Sequence, residues 1–265
     1  MNMPVKFQYF KNPKNRELTQ TELDELAREL DAIKQEVLDD LGEKDAKYIR
    51  RVYSAIRYSS IAGRALLFAG WFPPAWILGT GLLGFAKIME NMELGHNVMH
   101  GQYDWMNDPK MNGQTYEWDI VGTSDNWRQT HNFKHHIYTN IKGMDDDIGY
   151  GLVRLFPEQR WKPGYLLQPI YSIPFCLLFQ WGVAIQNLEL GKYFKGRKTK
   201  EKTKEEWKPM QRKITKQLFK DYVFFPLIAG PAALPVFAGN MVANGIRNVW
   251  TFSIIFCGHF TKDVE

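Results

Sequence analysis

The chain has 265 residues, which is enough for one large domain or two small ones. Its formal net charge of +5 is too small to require a nucleic-acid partner. Only two cysteines are present, both in apolar stretches, which excludes a disulfide scaffold and a cysteine-ligated zinc or iron–sulfur domain. Apolar residues cluster in blocks near residues 61–89, 164–190 and 221–258, and blocks of this length indicate a membrane protein.

Residues 1–49 are predicted to form an N-terminal cytosolic segment with one amphipathic helix. Residues 1–18 are basic and irregular. From Thr21, apolar residues recur three or four positions apart with acidic residues between them, which is typical of an amphipathic helix. Thr19 or Thr21 can cap the start of this helix, and Gly42 can close its end.

The following segment is predicted to form a helical hairpin. Residues 50–72 have a helical pattern that Pro73-Pro74 stops, because proline removes a donor and disfavours helix just before it. An apolar helix begins at Ala75, and nothing in the sequence stops it before His100. At ~1.5 Å per residue this helix is about 39 Å long, so its end should extend out of a hydrocarbon core of about 30 Å.

The rest of the chain alternates between polar and apolar segments. Residues 101–163 form a polar connector, and residues 164–190 are apolar but interrupted by Pro169 and Pro174. Residues 191–220 carry twelve Lys or Arg against three Glu, which is the strongest charge asymmetry in the chain.

Two more apolar runs complete the predicted topology. Residues 221–239 and 241–259 are separated near Gly239-Asn240 and are predicted to form a second hairpin. The positive-inside bias places the basic segment in the cytoplasm. If residues 164–190 crossed the membrane fully, the basic segment would lie outside, so residues 164–190 are predicted to be interfacial or re-entrant. The predicted fold is an all-α integral membrane protein with two helical hairpins, four spans in total, and all six histidines on the cytoplasmic side.

Two arginines lie within these predicted spans. Arg64 belongs to the first span and Arg247, followed by Asn248, to the fourth. A charge at this depth is costly unless it faces the helix bundle or snorkels to the interface, so we expect one of these arrangements for both.

Five of the six histidines fall in two short motifs, HNVMH and HNFKHH, and the sixth follows the last apolar run. Histidines four apart share one face of a helix, and imidazole suits iron, copper, zinc and nickel. Several imidazoles that converge from separate segments can hold a metal without cysteine. The predicted metal ligands are His96, His100, His131, His135, His136 and His259.

The residues next to these histidines indicate which class of metal site is compatible with the sequence. A zinc hydrolase of the HExxH type needs Glu after the first histidine, where this chain has Asn97. Soluble di-iron bundles use Glu-x-x-His on two helices, and only Glu93 with His96 matches that pattern. By analogy, a histidine-dominated site beside membrane spans fits iron and O2 chemistry better than hydrolysis.

At these residues the sequence resembles the membrane fatty acid desaturase family, and in particular its bacterial acyl-CoA or linoleoyl-type members. The resemblance extends from about residue 50 to residue 260. It is carried by the stretches LLFAGWFPPAWILG, ENMELGHNVMHGQYDWMNDP, THNFKHHIYTN with MDDDIGYG after it, and NVWTFSIIFCGHF.

The resemblance implies an oxidoreductase with four membrane helices and a cytosolic cap that carries a histidine-ligated di-iron centre. Such an enzyme uses O2 and two electrons to place a double bond in a fatty acyl chain, supplied as acyl-CoA or acyl lipid. A ferredoxin-like or reductase partner supplies the electrons, because the chain has no flavin, haem or iron–sulfur motif of its own. By this resemblance, His96 and His100 form the first box, the HNFKHH histidines form the second, and His259 is a further ligand.

Residues beside the boxes have two possible roles. They either orient the ligands or the substrate head group, or they only pack the polar loop. They are Trp127, Tyr138, Asn140 and the run Asp145–Asp147.

The sequence departs from the family in one respect. The family has a third histidine box after the last span, and residues 50–265 contain none. The expectation from sequence is therefore a fragment of a longer desaturase or a truncated, inactive product.

Three alternatives to a desaturase stay open from sequence alone. One is a hydroxylase or alkane monooxygenase of the same superfamily, another is a membrane metal-binding or transport protein, and the third is an inactive remnant. A transporter should bury its ligands at the membrane midplane, whereas these histidines lie at or beyond the ends of the predicted spans.

Overall fold

The computed structural model describes residues 18–141, 143–145, 147–157 and 159–259. The basic start predicted for residues 1–18 therefore lies almost entirely outside the described residues. The described residues form helices, turns and loops, with no strand among them, which confirms the all-α prediction. The chain divides between Ile49 and Arg50 into two compact units.

Helix α1 of the first unit spans Gln20–Asp40. Of the two predicted caps, Thr19 is the one used: its hydroxyl accepts from the Glu22 amide at 3.3 Å, and the Glu22 carboxylate accepts from the Thr19 amide at 2.8 Å. This reciprocal capping box satisfies two amides that have no partner inside the helix.

The first predicted hairpin is present with different bounds. Helix α2 spans Glu43–Phe68, so it begins before residue 50, and α3 spans Pro73–Ile88. The prolines occupy the first turn of α3, where the missing amide costs nothing. The two helices approach closely, because a Cβ on Gly63 would lie 2.8 Å from the carbonyl oxygen of Gly79.

The helical path continues beyond α3 up to the first histidine motif, as predicted. It passes through a π-helical segment, Met89–Gly95, into α4, His96–Met99. The predicted polar connector also contains helix. Within it, α5 spans Ser124–Trp127, a π-helical segment covers Arg128–His135, and α6 spans His136–Tyr138.

The proline-interrupted apolar segment is a bent pair of helices. Helix α7 spans Gln168–Leu177 and α8 spans Phe179–Asn187. Together with the 3-10 turn Pro163–Leu167 that precedes α7, they meet at 91°. Among the described helices, none is by itself long and apolar enough to cross a bilayer, whereas this bent pair qualifies by length and composition when taken together.

The basic segment folds as two helices. Helix α9 spans Leu190–Phe194 and α10 spans Lys200–Phe219. One of its lysines makes contacts within the protein: Lys213 forms an ion pair with Glu117 and donates to the Gly122 carbonyl at 2.7 Å. These contacts attach α10 to the loop before α5.

The turn of the second hairpin was predicted near Gly239-Asn240, and this position is wrong. The π-helical segment Lys220–Phe224 and α11, Phe225–Ile228, are followed by a 3-10 turn at Gly230–Ala232, and α12 then runs unbroken over Ala233–His259. Gly239 does not break α12. It allows close packing instead, because a Cβ there would lie 2.5 Å from Cδ2 of Leu67.

Buried polar groups join the helices of the two hairpins. The Asp221 carboxylate, with no exposed surface, lies 3.0 Å from Nζ of Lys87 and 3.2 Å from a guanidinium nitrogen of Arg64. Arg64 therefore faces the bundle, one of the two arrangements expected from sequence. Arg247 is also buried, at 1% exposure, and donates to Oδ1 of Asn248 at 3.1 Å.

Candidate metal centre

The structure brings all six predicted histidines into one cluster. His96 begins α4 and His100 follows its end, the second motif covers the end of the π-helical segment and the start of α6, and His259 ends α12. Neighbouring ring centroids are 4.5 Å apart for His96 and His100, 4.7 Å for His100 and His136, and 4.9 Å for His135 and both His131 and His259.

Three of these imidazoles direct the same nitrogen at one point. Nε2 of His96 lies 3.1 Å from Nε2 of His100 and 3.3 Å from Nε2 of His131. For metal–nitrogen bonds of about 2.0–2.1 Å, adjacent ligand atoms of a tetrahedral or octahedral site are about 2.9–3.4 Å apart. The spacing of these nitrogens therefore fits a single metal ion.

The surroundings keep two of these histidines neutral. Burial, reinforced by the neighbouring imidazoles, lowers the pKa of His96 to about 3 and that of His131 to about 2. A histidine must be neutral to offer a lone pair to a metal, so this environment prepares both rings for coordination.

Both histidine motifs adjoin π-helical turns. The amide of His96 donates to the carbonyl of Asn91, and the amide of His136 donates to the carbonyl of His131, each across five residues. Such π-bulges occur often at functional sites, where they re-aim side chains. No pattern in the sequence indicated them.

Two carboxylates contact the outer nitrogens of the second motif. Nδ1 of His135 lies 2.9 Å from Oδ2 of Asp145, and Nδ1 of His131 lies 3.5 Å from Oδ2 of Asp147. Burial opposes the charged form of His135, but Asp145 and Asp147 outweigh it and raise the pKa of this histidine. Donor atoms of His131, His135 and Asp147 also lie close enough together to hold a metal.

The residues named from the sequence beside the histidine boxes make different contacts. Trp127 stacks on the His131 ring at a centroid distance of 4.3 Å. Asn140 donates from its side chain to the carbonyl of His259 at 3.2 Å, whereas Tyr138 provides its carbonyl to a turn that ends at Ile141. Asp146 lies outside the described residues.

One contributor was missed by sequence reasoning. Gln186 of α8 donates to Oδ1 of Asp147 at 3.1 Å. Since residues 164–190 read as an apolar membrane segment, nothing in the sequence connected this side chain to the histidine boxes.

A cavity of about 360 Å³ opens beside the cluster. Its walls combine metal-centre side chains with apolar ones, and it reaches the aromatic cluster around Phe179. The lining includes His96, His131, His135, His259, Phe179, Val183, Ile254 and Ile255. A mostly apolar cavity of this kind suits a hydrocarbon chain held next to the imidazoles.

Comparison with known proteins identifies the family. The chain is 49% identical over 252 residues to an NADPH-dependent stearoyl-CoA 9-desaturase of Mycobacterium tuberculosis, a match that covers 94% of this chain and 59% of that relative. It is 40% identical over 111 residues to an sn-1 linoleoyl-lipid 6-desaturase of Synechocystis, covering 40% of this chain and 30% of that relative. The chain thus spans about 59% of the length of the mycobacterial relatives it matches.

No solved structure matches the chain significantly. The fatty acid desaturase family model matches residues 67–264, which include all six histidines. The resemblance noted from the sequence is therefore confirmed, and the chain belongs to the fatty acid desaturase family.

Proposed function

We propose that this chain carries the histidine-ligated di-iron site of an enzyme that desaturates a fatty acyl chain with O2. The observation that carries the proposal is the convergence of the Nε2 atoms of His96, His100 and His131 at distances of 3.1 and 3.3 Å. Nitrogen donors from separate segments, with no cysteine among them, suit iron in O2 chemistry.

The six histidines are the residues that would hold iron. His96, His100 and His131 form one group. The other three complete the cluster: His136 lies beside both His100 and His131, His135 beside His131, and His259 beside His135. Bound iron would supply the oxidising power: O2, two electrons and two protons remove two hydrogens from the acyl chain and leave a double bond and two waters.

The protein's own contribution is orientation and exclusion of water. The cavity would hold the acyl chain against the histidine cluster, with side chains such as Val183 and Ile255 keeping water away from the reacting carbons. We propose acyl-CoA as the substrate, which the printed name of the mycobacterial relative supports, with acyl lipid as the alternative carrier.

Electrons would come from a separate ferredoxin-like or reductase protein. The sequence contains two cysteines and no flavin- or haem-binding motif, which supports an electron carrier outside these 265 residues. The name of the mycobacterial relative specifies NADPH dependence, which supports a reductase as the partner.

We further propose that residues 50–265 form a membrane domain, preceded by a cytosolic segment, residues 1–49. The hairpin α2–α3 and the hairpin formed by Lys220–Phe224 and α11 with α12 would supply four spans, with the basic helix α10 in the cytoplasm and the bent α7–α8 pair re-entrant. Their corners lie together, since the Trp71 indole donates to the Pro231 carbonyl at 2.8 Å. Corners that share one end support a topology in which the histidine cluster lies at the other, cytoplasmic end.

Product analysis tests this function. Cells that express this chain as part of a full-length desaturase with the third histidine box should accumulate a fatty acid with a new double bond, detected by gas chromatography and mass spectrometry, and His135→Ala should abolish it. Phe133→Ala is the matched control, because Phe133 lies in the same π-helical segment but is 63% exposed.

Other results would point to the alternatives. Hydroxy fatty acids in place of alkenes would indicate a hydroxylase, and bound iron without any lipid product would indicate a metal-binding role. Wild-type levels of product from His135→Ala would contradict the ligand assignment.

A further inference from the structure

The two ring nitrogens of His131 face different partners. Nε2 points at Nε2 of His96, and Nδ1 points at Oδ2 of Asp147, at 3.5 Å. Nδ1 of His135 also faces a carboxylate, since it lies 2.9 Å from Oδ2 of Asp145. A carboxylate only accepts hydrogen bonds, so these contacts favour the tautomer with the proton on Nδ1 and the lone pair on Nε2.

Asp145 is held firmly in this role. Its side chain has no exposed surface, Oδ2 accepts from the Asn140 amide at 2.9 Å, and Oδ1 accepts from the Asp147 amide at 2.9 Å. The carboxylate cannot rotate away from His135 without losing these two bonds.

Asp147 is fixed from another part of the fold. Its Oδ1 accepts from Gln186 of α8 at 3.1 Å, which leaves Oδ2 directed at the histidines. Oδ2 lies 3.5 Å from Nδ1 of His131 and 3.7 Å from Nδ1 of His135. For His131, Nδ1 is the nitrogen opposite the Nε2 that faces His96.

We propose that Asp145 and Asp147 are positioning residues that set the tautomers of His135 and His131, so that both rings present Nε2 to the metal. This inference rests on the proposed function, since it assigns a role towards the iron that the histidines would hold. Carboxylate partners of this kind orient metal-bound imidazoles and raise their basicity, and losing one typically weakens metal binding by about 10–100-fold.

An amide in place of Asp147 provides the sharpest test. In Asp147→Asn, the side-chain oxygen can still accept from Gln186, which turns the NH2 group towards Nδ1 of His131. That donor favours the opposite tautomer, with the proton on Nε2, where the metal should bind. We expect Asp147→Asn to bind iron at least as weakly as Asp147→Ala, although Asn has the shape of Asp and Ala leaves a hole.

The measurement is the affinity of the purified protein for Fe(II), together with its Mössbauer spectrum. Asp145→Ala, Asp147→Ala and Asp147→Asn should each lose about 10–100-fold in affinity, with altered spectra. Asp125→Asn is the matched control, because the Asp125 carboxylate is 90% exposed and pairs with Arg128 instead of a histidine. It should bind iron as the wild type does.

Three results would overturn the inference. Wild-type affinity and spectrum in all three variants would mean that the carboxylates do not act on the histidines. Near-normal binding in Asp147→Asn with loss only in Asp147→Ala would mean that the side chain merely fills space. A lower iron content at saturation in both Asp147 variants would make Asp147 a ligand.

Failure of the proposed function has a different signature. If the wild-type protein itself binds no iron, the di-iron site is wrong and the role of the carboxylates falls with it. Should Asp145→Ala fail to fold, the comparison of the two Asp147 variants still decides the question.

Discussion

Asp221 is a buried carboxylate that contacts two cations in the helix bundle. Its buried carboxylate is shared by Lys87 and Arg64 and also accepts from Nδ2 of Asn244 at 3.2 Å. Lys87 and Arg64 have side-chain exposures of only 6% and 15%, so most of each cation stays out of solvent when the carboxylate is removed. Removing one partner of a buried ion pair typically costs about 3–5 kcal/mol. We therefore expect Asp221→Ala to lower the free energy of unfolding by about this amount.

The assay is denaturant unfolding of the purified protein in detergent. The matched control is Glu43→Gln, which breaks an ion pair with Lys47 in which the two side chains are 66% and 64% exposed, and should cost less than about 1 kcal/mol. A loss below about 1 kcal/mol in Asp221→Ala would refute the view that this carboxylate holds the two hairpins together.

Three further predictions concern other parts of the protein. His135→Ala should abolish lipid oxidation while the protein still appears in the membrane fraction at wild-type amounts; activity in this variant would remove His135 from the ligand set. Gly239→Ala should lower the free energy of unfolding by about 1–3 kcal/mol, because its Cβ would meet Leu67, whereas Gly245→Ala, with open space around it, should not; equal effects in the two variants would argue against close packing at Gly239. Burial and the nearby Asp119 raise the pKa of Glu90, so the native state favours the protonated form, and wild-type stability should fall as the pH rises above the ordinary glutamate pKa. Glu90→Gln, whose oxygen can still accept from Tyr116, should therefore gain stability over the wild type at pH 8 but not at pH 4, and an unfolding difference independent of pH would contradict this.

The histidine cluster shows what sequence reasoning can predict. Spacing and residue type singled out His96, His100, His131, His135, His136 and His259, and the fold places them together. Their proximity was predictable because histidines four apart share one face of a helix, and two such motifs can converge on one metal; that they bind a metal stays a prediction.

The hairpin corner shows where such reasoning fails. Gly239-Asn240 reads as a break in an apolar run, but the chain turns at Gly230–Ala232 and α12 continues through Gly239. A glycine that turns the chain and a glycine that lets two helices touch look alike in sequence. Only the partner, Leu67 of α2, distinguishes them, and it lies far away in the chain.

The contact between Gln186 and Asp147 could not be predicted from the sequence either. Gln186 belongs to a segment that reads as membrane-associated, and its contact with Asp147 depends on the 91° bend before α8. The π-helical turns at the two histidine motifs likewise have no signal in local helix propensities.

We propose that imidazoles from the two boxes and from the end of α12 hold iron. Iron K-edge X-ray absorption of the purified wild-type protein tests it most directly. We expect a first shell of nitrogen and oxygen atoms with the strong outer-shell scattering of several imidazole rings, and a clear loss of that scattering in His135→Ala. A protein that retains no iron, or iron whose spectrum lacks imidazole scattering, would rule out iron ligation by these histidines.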